Sequence, residues 1–228
     1  MKLISVIIPV LNESRVITDL LDQLQTLRKH GHQIIVVDGG SYDDTVAIAR
    51  LCADKVIVSE PGRARQMNAG AAIADGDILW FLHADTTLPA NTYMLIEQAL
   101  CTGISFWGRF DVRLSGKAFL LRLVEQSMNI RSLLTGISTG DQGIFCLKQE
   151  FIRYGGYSDI PLMEDIDLSR RFKTIHRPVR IKTVLMTSSR RWEEQGIIRT
   201  IGKMWWLRLA FYLGADPSRL ARQYGYEI

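Results

Sequence analysis

The chain has 228 residues, 47% of them hydrophobic and 23% charged, as expected of a globular protein large enough to bury a substantial core. A formal net charge of +4 suits an anionic substrate or an anionic surface, but this basic excess is too small to indicate a nucleic-acid partner. The three cysteines are far apart and lack metal-ligand spacing, so they predict reduced thiols of a cytoplasmic protein and exclude a disulfide framework.

The first 88 residues alternate between apolar, β-branched runs and amphipathic segments. We predict strands at residues 3–10, 34–37, 55–58 and 78–82. They are separated by helices at residues 16–30 and 43–52, and by a loop that leads into a helix within residues 62–74. Strands and helices that alternate in this way are typical of a parallel, doubly wound sheet with helices on both faces. The expected fold class is therefore α/β.

From residue 89 onward the pattern becomes α+β in character. Helices are predicted at residues 89–101, 117–134, 163–172 and 193–213, and strands at residues 105–112, 144–147 and 179–184. No long linker, repeat or low-complexity segment separates the two halves. We therefore predict a single domain over residues 1–228, made of residues 1–88, residues 89–192 and a C-terminal helical extension at residues 193–228.

The predicted C-terminal helix carries more apolar bulk than one packed stripe requires. Arg199, Lys203 and Arg208 interrupt it, and no apolar run in the chain reaches the roughly 18 residues of a membrane span. Pro9 interrupts the apolar run at the N-terminus, which is unlike a signal peptide. Two alternatives stay open: the helix packs on the sheet or in a homodimer, or it lies on an anionic membrane surface, which would place the protein at the inner face of the membrane.

Polar side chains follow three of the four strands predicted in the first half. Asn12 and Glu13 follow the first strand, Asp38 follows the second, and His83 and Asp85 follow the fourth. Because parallel strands in such a sheet end at one edge, these groups are expected around one crevice. Each also has an ordinary explanation as a helix cap, turn residue or solvated acid. Together they suit a divalent cation or a phosphorylated ligand.

Two further clusters could complete a site at this edge. Arg63 and Arg65 would suit a diphosphate, although arginines at a helix start are common. Glu164, Asp165 and Asp167 stand at the start of a predicted helix, where acids are favourable with the helix dipole even without any function. Glu164 and Asp167 share one face of that helix, and Asp165 lies off it.

Five segments, in order, resemble family 2 glycosyltransferases of the GT-A fold. They are residues 5–13 (SVIIPVLNE), 37–45 (VDGGSYDDT) and 65–70 (RQMNAG), then His83-Ala84-Asp85 at the place of the DXD motif and Glu164-Asp165 at the place of the ED motif. The resemblance covers about residues 3–172. It implies a small, single-domain member of bacterial type, with residues 1–88 binding a nucleotide sugar and residues 89–192 binding the acceptor.

The resemblance also implies roles for individual residues. Asp38 would contact the base or ribose of the donor, Asp85 would hold Mg²⁺ or Mn²⁺ on its diphosphate, and Asp165 would be the base that deprotonates the acceptor, placed by Glu164. The donor-binding set it implies is Pro9, Asn12, Glu13, Asp38, Arg63, Arg65, His83, Asp85, Arg190 and Arg191. The acceptor-binding set is Asp141, Gln142 and Trp192.

The implied reaction is an inverting transfer from a nucleoside-diphosphate sugar to an acceptor hydroxyl. Ser188 stands where the QXXRW motif of processive synthases has glutamine, so a single, non-processive transfer is expected. His83 replaces the first acid of the DXD motif, so the affinity for the metal and the identity of the metal are expected to differ from those of the family. The identity of the acceptor stays open, and a lipid-linked acceptor is one of the possibilities.

The alternative function is that of a non-catalytic nucleotide-sugar-binding protein, or of a degenerate transferase that acts through a partner. A dehydrogenase is excluded because no G-x-G-x-x-G follows a strand, and a haloacid-dehalogenase-type phosphatase because His83 occupies the nucleophile's place.

Overall fold

The computed structural model describes residues 2–226, which contain seven strands and ten α-helices. The strands are β1 (Ile4–Val10), β2 (Gln33–Asp38), β3 (Lys55–Val58), β4 (Ile78–Phe81), β5 (Trp107–Leu114), β6 (Phe145–Leu147) and β7 (Val179–Thr187). The helices are α1 (Ile17–Lys29), α2 (Thr45–Cys52), α3 (Arg63–Ile73), α4 (Thr92–Cys101), α5 (Phe119–Thr135), α6 (Lys148–Arg153), α7 (Glu164–Lys173), α8 (Arg190–Gln195), α9 (Ile197–Tyr212) and α10 (Pro217–Tyr224). A 3₁₀ turn, Gly140–Gln142, precedes β6.

All seven strands form one sheet in the order β3-β2-β1-β4-β6-β5-β7. The first four strands pair in parallel, and β5 pairs in parallel with β7. β6 is antiparallel to both of its neighbours, β4 and β5, so it is the one reversed strand of the sheet within residues 2–226. The predicted α/β class with a mostly parallel sheet is confirmed.

Helices cover both faces of the sheet, also as predicted. Successive side chains of a strand point to opposite faces, and in β1 Val6 and Ile8 join a core with Leu20 of α1, whereas Ile7 joins a second core with Met67 of α3. Because strands of a parallel sheet are buried on both sides, their apolar runs are nearly continuous. Because of this burial, the strands of the first half could be predicted from the sequence.

The C-terminal extension differs from the prediction of one helix over residues 193–213. The chain forms α8 and α9 instead, broken at Gly196, where φ is +85°. Glycine adopts this backbone without a Cβ clash, so it separates the two helices at little cost. A further helix, α10, lies within the helical extension predicted for residues 193–228, but its bounds were not predicted. Pro217 at its first turn and the Asp216 carboxylate, which accepts from the Ser218 amide at 3.1 Å, are ordinary helix-start signals.

Three other differences concern the second half. The prediction missed the short helix α6, and it placed β5 two residues too early, at residues 105–112. β7 runs past the predicted end at residue 184, because a register shift after Phe110 lets residues 184–187 continue to pair with β5. None of the helices within residues 2–226 is long and apolar enough to cross a bilayer.

Candidate active site

The loops after β1 and β2 are tied together at the carboxyl edge of the sheet. The Asp38 carboxylate, at the end of β2, accepts hydrogen bonds from the amides of Gly40 and Ser41, both at 2.9 Å. Asn12, after β1, has a left-handed backbone with φ of +55°, and its side-chain oxygen accepts from the Tyr42 amide at 3.0 Å. Asp38 therefore shapes its own loop, while its predicted contact with the donor base or ribose stays a prediction.

The side chain of Gln66, on α3, links the carboxyl ends of β1 and β2 through hydrogen bonds. Its amide nitrogen donates to the carbonyls of Val10 and Val37, both at 2.8 Å, and the side chain is buried. A Cβ at Gly39 would lie 3.2 Å from this amide, so glycine there leaves room for it. Sequence reasoning gave Gln66 no role, although it lies in the segment 65–70 that resembled the family.

The end of β4 is held by the 3₁₀ turn. The His83 imidazole Nδ1 lies 3.2 Å from the Asp141 carboxylate, and a Cβ at Gly140 would lie 2.5 Å from His83 Nε2. Partial burial by itself would raise the pKa of Asp141, but the hydrogen bond and charge of His83 hold it below its ordinary value. Asp141 was predicted to bind the acceptor and His83 the donor. In the structure the two side chains contact each other.

A carboxylate follows each of β1 and β4 at this edge of the sheet, Glu13 after β1 and Asp85 after β4. Burial, followed by the charge of Asp85, raises the pKa of Glu13, and Arg190 acts in the opposite direction. The half-buried Asp85 carboxylate accepts a long hydrogen bond of 3.3 Å from the Thr187 hydroxyl, at the end of β7. Glu13 and Asp85 are thus close enough to interact, with Arg190 beside them.

This carboxylate pair suits a hard divalent cation that is shared with a phosphorylated ligand. Within residues 2–226, no group of three His, Cys, Asp or Glu side chains is arranged to hold a metal by itself. Mg²⁺ in particular is usually held by one or two carboxylates together with phosphates and water. The residues present, Asp85 with Glu13 nearby, fit that kind of site.

The 3₁₀ turn also reaches the acids at the start of α7. The Asp165 carboxylate accepts from the Gly140 amide at 2.9 Å with one oxygen and from the Ile166 amide at 2.7 Å with the other. Gly140 therefore touches His83 on one side and Asp165 on the other. As a result, the residues that followed β4 in sequence and the Glu164-Asp165 pair, some 80 residues later, share one crevice.

Glu164 is the most perturbed acid of the site. It is 7% exposed, and burial followed by repulsion from Asp165 raises its pKa to about 7, against the opposing charge of Arg63. Asp167, in contrast, is held by the Arg171 guanidinium at 2.9 Å and the Ser158 hydroxyl at 2.6 Å. The three acids at this helix start therefore have three different environments.

Two tyrosines to which the sequence prediction gave no role, Tyr224 and Tyr226, lie beside Arg191. The Arg191 guanidinium lies 4.5 Å from the ring centroid of Tyr224 and 6.0 Å from that of Tyr226. Arg63, the first residue of α3, is close enough to Glu164 for its charge to act on that carboxylate. Arg63 thus lies near Glu164, and the donor-binding roles of Arg63 and Arg191 stay predictions.

Three predicted site residues have other contacts. Arg65 forms surface ion pairs with Glu60 and Asp159, both at 2.8 Å. Gln142 is fully buried, and its side-chain oxygen accepts from the Thr139 amide within the 3₁₀ turn at 3.2 Å. Trp192 packs against the apolar cluster between β5 and α5. These contacts give each of the three a structural role, while their predicted binding roles stay predictions.

The raised pKa of Glu164 predicts a pH dependence of stability. Between about pH 5 and pH 7 the folded chain keeps a proton that the unfolded chain loses, so the free energy of unfolding should fall as pH rises through this window. Glu164→Gln removes the titration. Relative to the wild type, this variant should gain about 1–3 kcal/mol on going from pH 5 to pH 8.

Urea unfolding of both proteins at the two pH values measures this difference. Glu194→Gln, at an exposed position of α8, is the matched control and should show no such gain. An equal stability difference between Glu164→Gln and wild type at pH 5 and pH 8 would contradict the raised pKa.

Comparisons with known proteins agree with this arrangement. The model of the glycosyl transferase family 2 matches residues 5–150. An uncharacterized glycosyltransferase of Mycobacterium tuberculosis (strain CDC 1551 / Oshkosh) is 33% identical over 161 residues, which cover 66% of this chain and 61% of that protein. The chain thus matches about three fifths of that relative's length.

Two solved structures share the fold. TarS of S. aureus (residues 1–349), in complex with UDP, superposes with a TM-score of 0.67 at 20% identity, over 82% of this chain and 60% of that one. The mannosyltransferase PcManGT of Pyrobaculum calidifontis, in complex with GDP-Man and Mn²⁺, gives a TM-score of 0.64 at 21% identity, over 81% and 56% of the chains. The fold is that of GT-A glycosyltransferases, and the chain belongs to the glycosyl transferase family 2.

Proposed function

We propose that this chain transfers a sugar from a nucleoside-diphosphate donor to an acceptor hydroxyl, once per encounter, with inversion and with the help of a divalent cation. The observation that carries the proposal is the position of Asp165, whose carboxylate is held by Gly140 in the same crevice as His83 and Asp85. The donor class is supported by the UDP bound to TarS and the GDP-Man bound to PcManGT.

The donor would lie over the carboxyl ends of β1, β2 and β4. Asp38 and its loop would receive the nucleoside, while Arg63 and Arg190 bring positive charge to the diphosphate. Asp85, with Glu13 beside it, would hold Mg²⁺ or Mn²⁺. When bound, such a cation neutralises the charge that develops on the leaving diphosphate.

Asp165 would act as the general base because of its neighbour. Two carboxylates this close repel each other, and one proton relieves the repulsion. Burial raises the pKa of Glu164 to about 7, so a proton shared by the pair would belong to Glu164, and Asp165 is the more exposed of the two. Asp165 then takes the proton of the acceptor hydroxyl while the oxygen attacks the anomeric carbon and the nucleoside diphosphate departs.

A cytoplasmic location is part of this proposal. It is supported by the cysteines Cys52, Cys101 and Cys146, which are free thiols in the structure.

Ligand-induced thermal stabilisation tests the donor site. UDP or GDP at a hundredfold excess over Kd should add roughly 2.7 kcal/mol to the free energy of unfolding, which raises the Tm by about 5–10 °C. The shift should require Mn²⁺ or Mg²⁺. No shift with any nucleoside diphosphate and metal would overturn the proposal, whereas a shift without any turnover of a nucleotide sugar, even by slow hydrolysis, would identify a non-catalytic binding protein.

A further inference from the structure

The outer face of α9 carries an exposed apolar stripe. Ile198, Trp205, Leu209 and Tyr212 recur at helical spacing and are each more than half exposed, and Trp206 lies beside them. The opposite side of the helix, with Leu207 and Ala210, is buried. An apolar stripe that faces outward in this way is not explained by packing within the chain.

Helix α5 carries a second stripe on its own outer face. Phe119, Leu123, Ile130 and Leu134 follow the same spacing and are exposed, whereas residues such as Leu121 and Met128 face the core. The two stripes together form what we call the α5–α9 face. Contiguous apolar surfaces of this kind mark sites of interaction with a protein or a membrane.

The two helices lie side by side and run in the same direction. Near their starts, Ile197 and Ile201 of α9 pack against the cluster that contains Leu121 of α5. Near their ends, both meet the last turn of α7. The Arg170 guanidinium lies 5.7 Å from the ring centroid of Tyr212 on α9, and Lys173 Nζ donates to the carbonyl of Thr135 on α5 at 3.2 Å. The stripes therefore belong to one surface.

The margin of the α5–α9 face is more basic than acidic. Arg177 lies at the end of α5, where its guanidinium donates to the carbonyls of Leu133 and Leu134 at 3.0 and 2.8 Å. Five exposed bases flank the two helices: Lys117, Arg170, Lys173, Arg177 and Arg199. Three exposed acids flank the same two helices: Glu193, Glu194 and Asp216.

We propose that the α5–α9 face binds the surface of an anionic lipid bilayer. Amphipathic helices that lie in the membrane interface combine a Trp- and Leu-rich face with flanking bases, and tryptophan is enriched at the level of the lipid headgroups. Basic groups at the margin add attraction to anionic lipids that salt weakens. The adjacent pair Trp205–Trp206 and the basic margin match both features.

The face is continuous with the candidate active site through α9. Arg208 of α9 is partly buried, and it is close enough to Asp141 for its charge to act on that carboxylate. A chain seated on a bilayer through this face would hold the crevice next to the lipid headgroups. If the proposed function holds, the acceptor hydroxyl is therefore carried by a lipid. Bilayer binding itself does not depend on the transfer reaction.

Flotation with vesicles, in the absence of any nucleotide, tests the proposal. At low salt the protein should float with vesicles of phosphatidylcholine and phosphatidylglycerol, bind vesicles of phosphatidylcholine alone about tenfold more weakly, and be released by high salt. Trp205→Glu on α9 and Leu134→Glu on α5 should each weaken binding at least about tenfold. Leu51→Glu on α2, which is 81% exposed but lies outside the face, is the matched control and should bind like the wild type.

Three results would overturn the proposal. One is a wild type that stays unbound with anionic vesicles, and another is a Trp205→Glu variant that floats like the wild type. The third is a dimer in analytical ultracentrifugation that Trp205→Glu dissociates, without vesicle binding, because a second copy would then cover the face. Stabilisation of the variants by UDP and Mn²⁺ is measured separately, so a failure here is distinguishable from a failure of the proposed function.

Discussion

Replacing Asp165 by asparagine should lower kcat for sugar transfer by about 10² to 10⁴, because a positioned general base contributes this much to the rate. Asparagine keeps the shape of the side chain and still offers one oxygen to the amide of Gly140 or Ile166. It cannot take the acceptor's proton. The affinity for the donor should stay nearly unchanged, since the donor is expected on the other side of the 3₁₀ turn.

The measurement pairs transfer kinetics with calorimetry of donor binding. Asp167→Asn, two residues further along α7, is the matched control. Its carboxylate is engaged by Arg171 and Ser158, so this variant should change kcat less than tenfold while lowering the Tm. If Asp165→Asn turns over like the wild type, or loses donor affinity in proportion to rate, the base lies elsewhere and Glu164 becomes the next candidate.

Asp85→Ala should abolish metal-dependent binding of nucleoside diphosphates. The variant removes the carboxylate at the end of β4 that is expected to hold the cation, and Glu13 alone is left near the diphosphate. Removing Asp85 should also lower the pKa of Glu13, because Asp85 is one of the charges that raise it. Titration calorimetry with UDP, at saturating Mn²⁺ and again in EDTA, measures the effect.

His83→Ala is compared with Asp85→Ala, because we expect it to have the smaller effect on donor binding. His83 is engaged by Asp141, so its loss should weaken donor binding only partly and should free the Asp141 carboxylate, whose pKa would rise toward its ordinary value or above it. Equal binding by Asp85→Ala and wild type, with EDTA making no difference, would exclude the proposed role of Asp85. Complete loss in His83→Ala would instead make the imidazole a principal ligand.

The parts of the fold that sequence predicted are those in which local pattern and tertiary environment agree. β1, β2 and β4 are buried on both faces, so their apolar runs end abruptly at polar residues, and those residues lie at the edge of the sheet. Asp38, His83 and Asp85 were found for that reason. Asp167 was read as a helix-start acid, and its ion pair with Arg171 agrees with that interpretation.

The missed features depend on contacts between distant segments. The 3₁₀ turn links His83 to Asp165 through Gly140, and nothing near residue 83 signals its partner at residue 141. Tyr224 lies beside Arg191 only because α10 folds back along α9. The break at Gly196 was hidden because apolar spacing continues across it, and glycine within a helical pattern is often tolerated.

The reversed strand β6 has a consequence for how the chain folds. It fills the open edge of β4, with Trp80 opposite Phe145 and Leu79 opposite Cys146, and it comes more than sixty residues later in the chain. Until β6 emerges during synthesis, β4 presents bare backbone amides and carbonyls beside large apolar side chains, a combination that invites pairing with another chain. A fragment cut after residue 88 would keep that edge permanently open, and would therefore be expected to self-associate instead of remaining a monomer.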